Sequence, residues 1–152
     1  MKILVVSDVH GDFKTLQDIY LKNQDSDYFF LLGDYELPEY LLNPFTFVKG
    51  NCDFLSDAPL TRDIILPQGN VHLEHGNNID FNNFDAYVTK TNSFLFLFGH
   101  THVKFFKKIN NTYVFNPGST SYPRDGEYGS YLIIEIDKNN NLKHHFVLIK
   151  DK

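Results

Sequence analysis

Short apolar runs, each followed by a turn residue and then an oxygen or imidazole side chain, constrain this sequence more than any other feature. Lys2 to Ser7 leads into Asp8-Val9-His10, Phe29 to Leu32 into Gly33-Asp34, and Phe45 to Lys49 into Gly50-Asn51. Val71 to Glu74 leads into His75-Gly76, and Phe94 to Phe98 into Gly99-His100-Thr101-His102. A short apolar run bounded by turn signals reads as a buried strand. Asp8, His10, Asp34, Asn51, His75, His100 and His102 therefore all stand at strand tips. In open α/β sheets ligands bind beyond the carboxyl ends of the strands, so a fold that gathers these tips also builds a site. His72, His144 and His145 fall inside expected strands and read as structural or surface residues.

The residue types point to metal chemistry. Residues i and i+2 of an extended segment face the same way, so Asp8 with His10, and His100 with His102, can each address one ion. Gly33 lets the chain turn sharply and carry Asp34 over the sheet end, and its two carboxylate oxygens can bridge two cations. Asn51 offers a neutral, hard oxygen. A set of nitrogen and oxygen donors suits Mn²⁺, Fe, Co²⁺, Ni²⁺ or Zn²⁺. Each motif taken alone reads more readily as a turn or surface residue than as a ligand. Their order and shared placement carry the reading of a two-metal site.

Between the motifs the chain alternates strand and helix in its first half. Asp12 can cap a helix through Phe13, Leu16, Ile19 and Tyr20. A short helix is expected at Pro38 to Leu42, and another around Asp80 to Lys90. The second half is mostly strand. Thr61 to Glu74 reads as strand, turn, strand, and hairpins are expected about Asn110-Asn111 and Asn139-Asn140-Asn141. Two mixed sheets packed face to face with helices outside follow from this pattern. Asn116-Pro117-Gly118-Ser119 is a turn by its Pro and Gly.

At 152 residues the chain suits one domain, 1–152, with one main core. No apolar run approaches the roughly 18 residues a membrane helix needs. A cleaved leader is not expected, because its removal would take Asp8 with it. Cys52 is the only cysteine, so no internal disulfide forms, which fits the cytoplasm. A net charge of −5 argues against bulk nucleic-acid binding, but not against a small phosphorylated substrate whose potential is set by bound cations.

Asp8-Val9-His10, Gly33-Asp34, Gly50-Asn51-Cys52-Asp53, His75-Gly76, Gly99-His100-Thr101-His102 and Asn116-Pro117-Gly118-Ser119 closely resemble the calcineurin-like metallophosphoesterases, and within them the small YfcE-type phosphodiesterase branch. The resemblance runs from Met1 to about Arg124, and the last hairpin fits as well. It implies a four-layer α/β/β/α sandwich. It implies one metal held by Asp8, His10, Asp34 and His102, and a second held by Asp34, Asn51, His75 and His100. Mn²⁺ is the metal it favours. Many superfamily members carry a histidine after the metal-binding Asn, thought to help protonate the leaving group. Here that residue is Cys52, as is common in the small branch. The segment from Gly76 to Phe94 looks shorter than in relatives and lacks a long amphipathic helix.

The expected activity is hydrolysis of a small phosphodiester or nucleotide-like substrate, by a hydroxide shared between two cations. Asp34, His10 and Asn51 are the candidate catalytic residues, and Arg124 and Cys52 the candidate substrate contacts. Arg124, one of two arginines, could bind phosphate bidentately or form an ion pair at the rim. Cys52 is a poor general acid for an alkoxide, so diesters with good leaving groups are expected to react best. A phosphomonoesterase or nucleotide phosphatase of the same fold is the nearer alternative. A protein-interaction scaffold resembling the small subunit of retromer is the more distant one, and the complete set of ligand residues argues against it. Tyr35, Tyr40, Phe54 and Phe81 are expected to pack in the core or at the rim, and not to stack on a nucleobase. The dimers and larger assemblies of the family, with 16% aromatic content here, are compatible with a homo-oligomer.

Overall fold

The structure is a computed structural model and describes residues 1–150. Strand β1 (Lys2–Val6) shows how its layers arise. Successive side chains of a strand point to opposite faces, and both faces here are apolar. Ile3 and Val5 enter one core cluster, while Leu4 and Val6 enter another beneath helix α1 (Phe13–Lys22). A strand apolar on both sides must be covered on both sides.

Sheet A runs β10-β9-β1-β2-β3, adding β2 (Tyr28–Leu31), β3 (Thr46–Phe47), β9 (Gly129–Ile136) and β10 (Leu142–Ile149). Sheet B runs β4-β5-β6-β8-β7. Its strands are β4 (Thr61–Leu66), β5 (Gly69–Glu74), β6 (Leu95–Leu97), β7 (Lys104–Ile109) and β8 (Thr112–Pro117). In sheet A, β1 pairs parallel with β2, and β2 with β3. In sheet B, β5 pairs parallel with β6, and β6 with β8. The remaining pairs are antiparallel.

The inner faces meet in one apolar cluster that includes Ile3, Val5, Phe30, Val71, Leu73, Leu97, Phe115 and Ile134. Helix α1 covers the outer face of sheet A through Leu16 and Ile19. Asp12 caps it as expected, accepting from the Thr15 amide at 3.1 Å and from its hydroxyl at 2.7 Å. Helix α2 (Phe84–Lys90) follows a single 3-10 turn at Phe81–Asn83 and covers the outer face of sheet B, where its Val88 and Phe84 pack with Phe96 of β6 and with Phe98 just after it. These are the four layers implied by the resemblance, with α2 as short as the sequence suggested.

Some elements are shorter than expected. The run Phe45 to Lys49 pairs as a strand only at Thr46–Phe47, because the Lys49 amide turns away to the Pro59 carbonyl. The helix expected at Pro38 to Leu42 is a 3-10 turn, Glu39–Leu41. His72 is structural, as read. It lies on the outer face of β5 between Asp63 (3.1 Å) and Glu74 (2.8 Å), and Tyr87 donates to both Glu74 oxygens at 3.0 Å. Among the described residues, no helix is long and apolar enough to cross a membrane.

Candidate metal centre

The parallel strands of both sheets deliver their carboxyl ends to one edge of the sandwich. Asp8 and His10 follow β1, Asp34 follows β2, and Asn51 follows the end of β3. His75 follows β5, and His100 and His102 follow β6. The chain turns sharply at each exit. Asp8, His10, Asp34, His100 and His102 all hold left-handed backbone, with φ between 48° and 71°. Each non-glycine residue so placed costs about 1–3 kcal/mol, and such strain gathers at functional sites. The approach of the loops is close. A Cβ on Gly50 would sit 2.2 Å from Asp34 Oδ1, and one on Gly99 would sit 2.0 Å from Ser7 Oγ.

All seven ligand residues expected from the sequence meet here. His102 Nε2 is 3.2 Å from Asp8 Oδ1, and His10 Nε2 is 3.7 Å from it. His75 Nε2 is 3.1 Å from Asp34 Oδ2 and 3.8 Å from Asp8 Oδ1. His100 Nδ1 is 3.1 Å from Asn51 Oδ1 and 3.3 Å from His75 Nε2. Two clusters result, Asp8-His10-His102 and Asp34-His75-His100. Asp34 reaches toward both, with Oδ2 4.0 Å from His10 Nε2.

Hydrogen bonds set the orientation of the rings. His75 Nδ1 donates to the Leu32 carbonyl at 2.7 Å, and His102 Nδ1 to the Tyr122 carbonyl at 2.6 Å. His10 Nδ1 donates to the Glu36 carboxylate at 2.5 Å. In each neutral ring the lone pair is then on Nε2, which faces the cluster. A fixed Nδ1–H with Nε2 turned inward is the usual support of a metal-binding histidine. Asp8 Oδ1 is fully buried at the centre of these nitrogens and has no hydrogen-bond partner. A buried carboxylate oxygen without a hydrogen bond, held only at ion-pair distance from three imidazoles, is costly, and a divalent cation is the partner that fits it.

Electrostatics agree with that fit. Burial acts to raise Asp8, but His10, His102, His75 and the Ser7 hydroxyl outweigh it and hold the carboxyl well below its usual range. Asp34 is lowered in the same way, chiefly by His75 against burial. His10 is raised to about 9 by Asp8, with help from Glu36 against burial. His75 is raised by Asp34 and Asp8 despite burial. His100 is lowered by burial and by His75. The centre therefore attracts positive charge, and protons compete with cations for it.

Several supporting residues were not foreseen from the sequence. Asp53 is buried and accepts from the amides of Asp34, Gly50 and Glu36 at 2.7, 2.8 and 2.9 Å. It ties the loop after β2 to the loop after β3. Ser7 Oγ donates to Asp8 Oδ2 at 2.6 Å, and Ser119 Oγ to the Asp8 carbonyl at 2.8 Å. Asn116 Nδ2 donates to the Gly99 carbonyl at 2.9 Å. The quoted motifs contained Asp53, Asn116 and Ser119, but nothing in their spacing showed these partners.

Cys52 and Arg124 lie at the rim. The Cys52 amide donates to Asp34 Oδ1 at 2.8 Å. Burial, then Asp34, pushes its thiol up to about 11. The Arg124 amide donates to the His102 carbonyl at 3.0 Å. Its side chain is exposed, and no ion pair to it occurs among the described residues. Tyr35 is buried and Phe81 packs against Phe84 and Phe98, as expected. Tyr40 and Phe54 instead project into solvent, 81% and 82% exposed.

Known proteins share the sequence family and the fold that carry these residues. Residues 1–139 match the calcineurin-like phosphoesterase superfamily domain. Phosphodiesterase YfcE of Escherichia coli K12 is 26% identical over 166 residues, covering 90% of this chain and 89% of that protein. A solved conserved protein of Streptococcus pneumoniae TIGR4, described as a predicted phosphoesterase, superposes with a TM-score of 0.88 at 30% identity, covering 97% of this chain and 88% of that one. Vps29 of Entamoeba histolytica, solved with zinc, superposes at 0.75 with 21% identity, covering 97% and 99%, a likeness of fold.

Proposed function

The chain belongs to the calcineurin-like phosphoesterase superfamily, as a metal-dependent phosphoesterase of the YfcE-type branch, and on that premise we propose that it hydrolyses phosphodiesters at a centre of two divalent cations. The observation that carries this reading is the convergence of inward-facing imidazole nitrogens on Asp8 Oδ1, which is buried without a hydrogen-bond partner. Asp8, His10, Asp34 and His102 would hold one cation. Asp34, Asn51, His75 and His100 would hold the other, with Asp34 shared. When bound, such a pair supplies Lewis acidity toward a phosphoryl oxygen and lowers the pKa of water to near 7. Mn²⁺ suits the donor set.

The protein's own groups do the rest. Asp8 and Asp34 bring two negative charges against two divalent cations, so the loaded centre stays positive and draws an anionic ester. Glu36 fixes the His10 ring. Asn51, exposed at the edge, supplies a neutral oxygen where substrate would enter. Arg124, exposed beside His102, is free to contact a phosphoryl oxygen. Cys52 holds its proton too tightly to assist a poor leaving group, so the preference is for diesters of acidic alcohols. A lone cysteine suits the cytoplasm.

The test is hydrolysis of bis-p-nitrophenyl phosphate by metal-stripped protein titrated with Mn²⁺, beside Asp34→Asn. Turnover that requires metal and is lost in the variant supports the reading. Turnover of p-nitrophenyl phosphate alone would assign a monoesterase. No turnover by metal-loaded protein would favour a non-catalytic role for the fold.

A further inference from the structure

A second feature adjoins the candidate centre. The loop after β2 and the loop after β3, which carry Asp34 and Asn51, continue outward as the two walls of a cleft of about 530 Å³. Cys52 belongs to both places: it lines the cleft, and its sulfur lies within 4.8 Å of the nearest ligand atoms of His10 and Glu36. The cleft therefore begins where the centre ends. Its walls include Leu37, Pro38, Phe54 and Leu55. Phe54 is 82% exposed and Leu55 fully exposed, although the Ser56 beside them is buried and tied to Tyr35 and Glu39 at 2.6 and 2.8 Å. A loop anchored at Ser56 thus holds two apolar side chains outward. The charges on the walls are all negative. Glu36, Glu39, Asp53 and Asp57 line the cleft, and no lysine or arginine does.

We infer that this cleft is a specificity subsite which receives one ester group of the diester, a compact apolar group bearing no negative charge. The inference rests on the phosphodiesterase reading above. A cavity of this size and lining suits an aryl or branched alkyl group, bound by apolar contact with Phe54 and Leu55. A group carrying a further phosphate or carboxylate would meet Asp57 and Glu39 with no cation to offset it. The positive centre would hold the phosphodiester itself, and the cleft would sort what is attached to it.

The test is competitive inhibition of bis-p-nitrophenyl phosphate hydrolysis by Mn²⁺-loaded enzyme, using three methyl diesters. They are dimethyl phosphate, 3,3-dimethylbutyl methyl phosphate and 3-carboxypropyl methyl phosphate. The branched neutral ester should bind at least tenfold tighter than either of the others. Phe54→Ala with Leu55→Ala should erase its advantage over dimethyl phosphate. Asp57→Lys, at an exposed position, should narrow its advantage over the carboxylate ester. Equal inhibition by all three esters, or advantages that survive both variants, would overturn the subsite while leaving the phosphodiesterase reading intact. Absence of turnover by wild-type enzyme would overturn that reading, and the subsite with it.

Discussion

The Nε2 atoms of His10 and His102 face each other at 3.3 Å, while the Nδ1 of each ring is committed to an acceptor of its own, Glu36 and the Tyr122 carbonyl. Two neutral imidazoles so held present lone pair to lone pair. Only a positive charge between them, proton or metal, makes the arrangement favourable. His75 Nε2 approaches His100 Nδ1 as closely, at 3.3 Å, with His75 Nδ1 committed to the Leu32 carbonyl.

Glu36 should therefore set metal affinity without touching the metal. Glu36→Gln removes the charge that steadies the His10 ring. The expected outcome is a loss of about 10–100-fold in Mn²⁺ affinity with thermal unfolding of the metal-free protein little changed. Titration calorimetry measures the first and a melting curve the second. Unaltered affinity would remove Glu36 from the account.

Cys52 should be inert. Its thiol is pushed up to about 11, by burial first and then by Asp34, so the neutral form persists through ordinary pH and the reactive thiolate appears only near pH 11. Alkylation of metal-free protein by iodoacetamide should climb between pH 9 and 11. A midpoint near 8.5 would contradict this. Cys52→His should raise turnover of poor leaving groups up to about 100-fold and leave p-nitrophenyl esters within a few-fold.

Much of this was legible in the sequence, for physical reasons. Strands covered on both faces read as apolar runs, so β1, β2 and β6 were visible. Turn residues ended them, so the seven candidate ligands could be read from position alone. Asp53, Ser7 and Glu36 could not. Asp53 acts through three backbone amides, two of them across a gap of 17 and 19 residues, and backbone donors leave no mark on sequence. Glu36 meets His10 across 26 residues only because both chain turns are left-handed. The cleft was equally hidden. Phe54 reads as a core or rim residue, and its exposure follows from the anchoring of Ser56, which composition does not reveal.

Gly50→Ala should disable the centre. The added Cβ would fall 2.2 Å from Asp34 Oδ1 and 2.3 Å from the Asp34 amide, so Asp34 or the loop must shift. Overpacking of this kind costs about 1–3 kcal/mol, and diester turnover should drop at least 100-fold. Urea denaturation and steady-state rates check the two parts. Wild-type turnover in the variant would show that Asp34 need not stand where it does.

His72 should make stability depend on pH away from the centre. Burial opposes its charge, but Glu74 and Asp63 outweigh it and raise its pKa above 6.5. A raised pKa means the stabilisation is complete below about pH 6.5 and is lost as pH rises through the folded value. His72→Gln should cost about 3 kcal/mol at pH 6, since Glu74 stays buried, and less at pH 9. Urea titrations of metal-free protein at both pH values measure the difference. A cost independent of pH would show that His72 is held neutral.

The most direct measurement counts ions. Equilibrium dialysis of metal-stripped protein against Mn²⁺ should reach two ions per chain, with one lost in His75→Asn and both weakened in Asp34→Asn. Saturation at one ion in the wild type, or two ions retained at full affinity in Asp34→Asn, would contradict a shared two-metal centre.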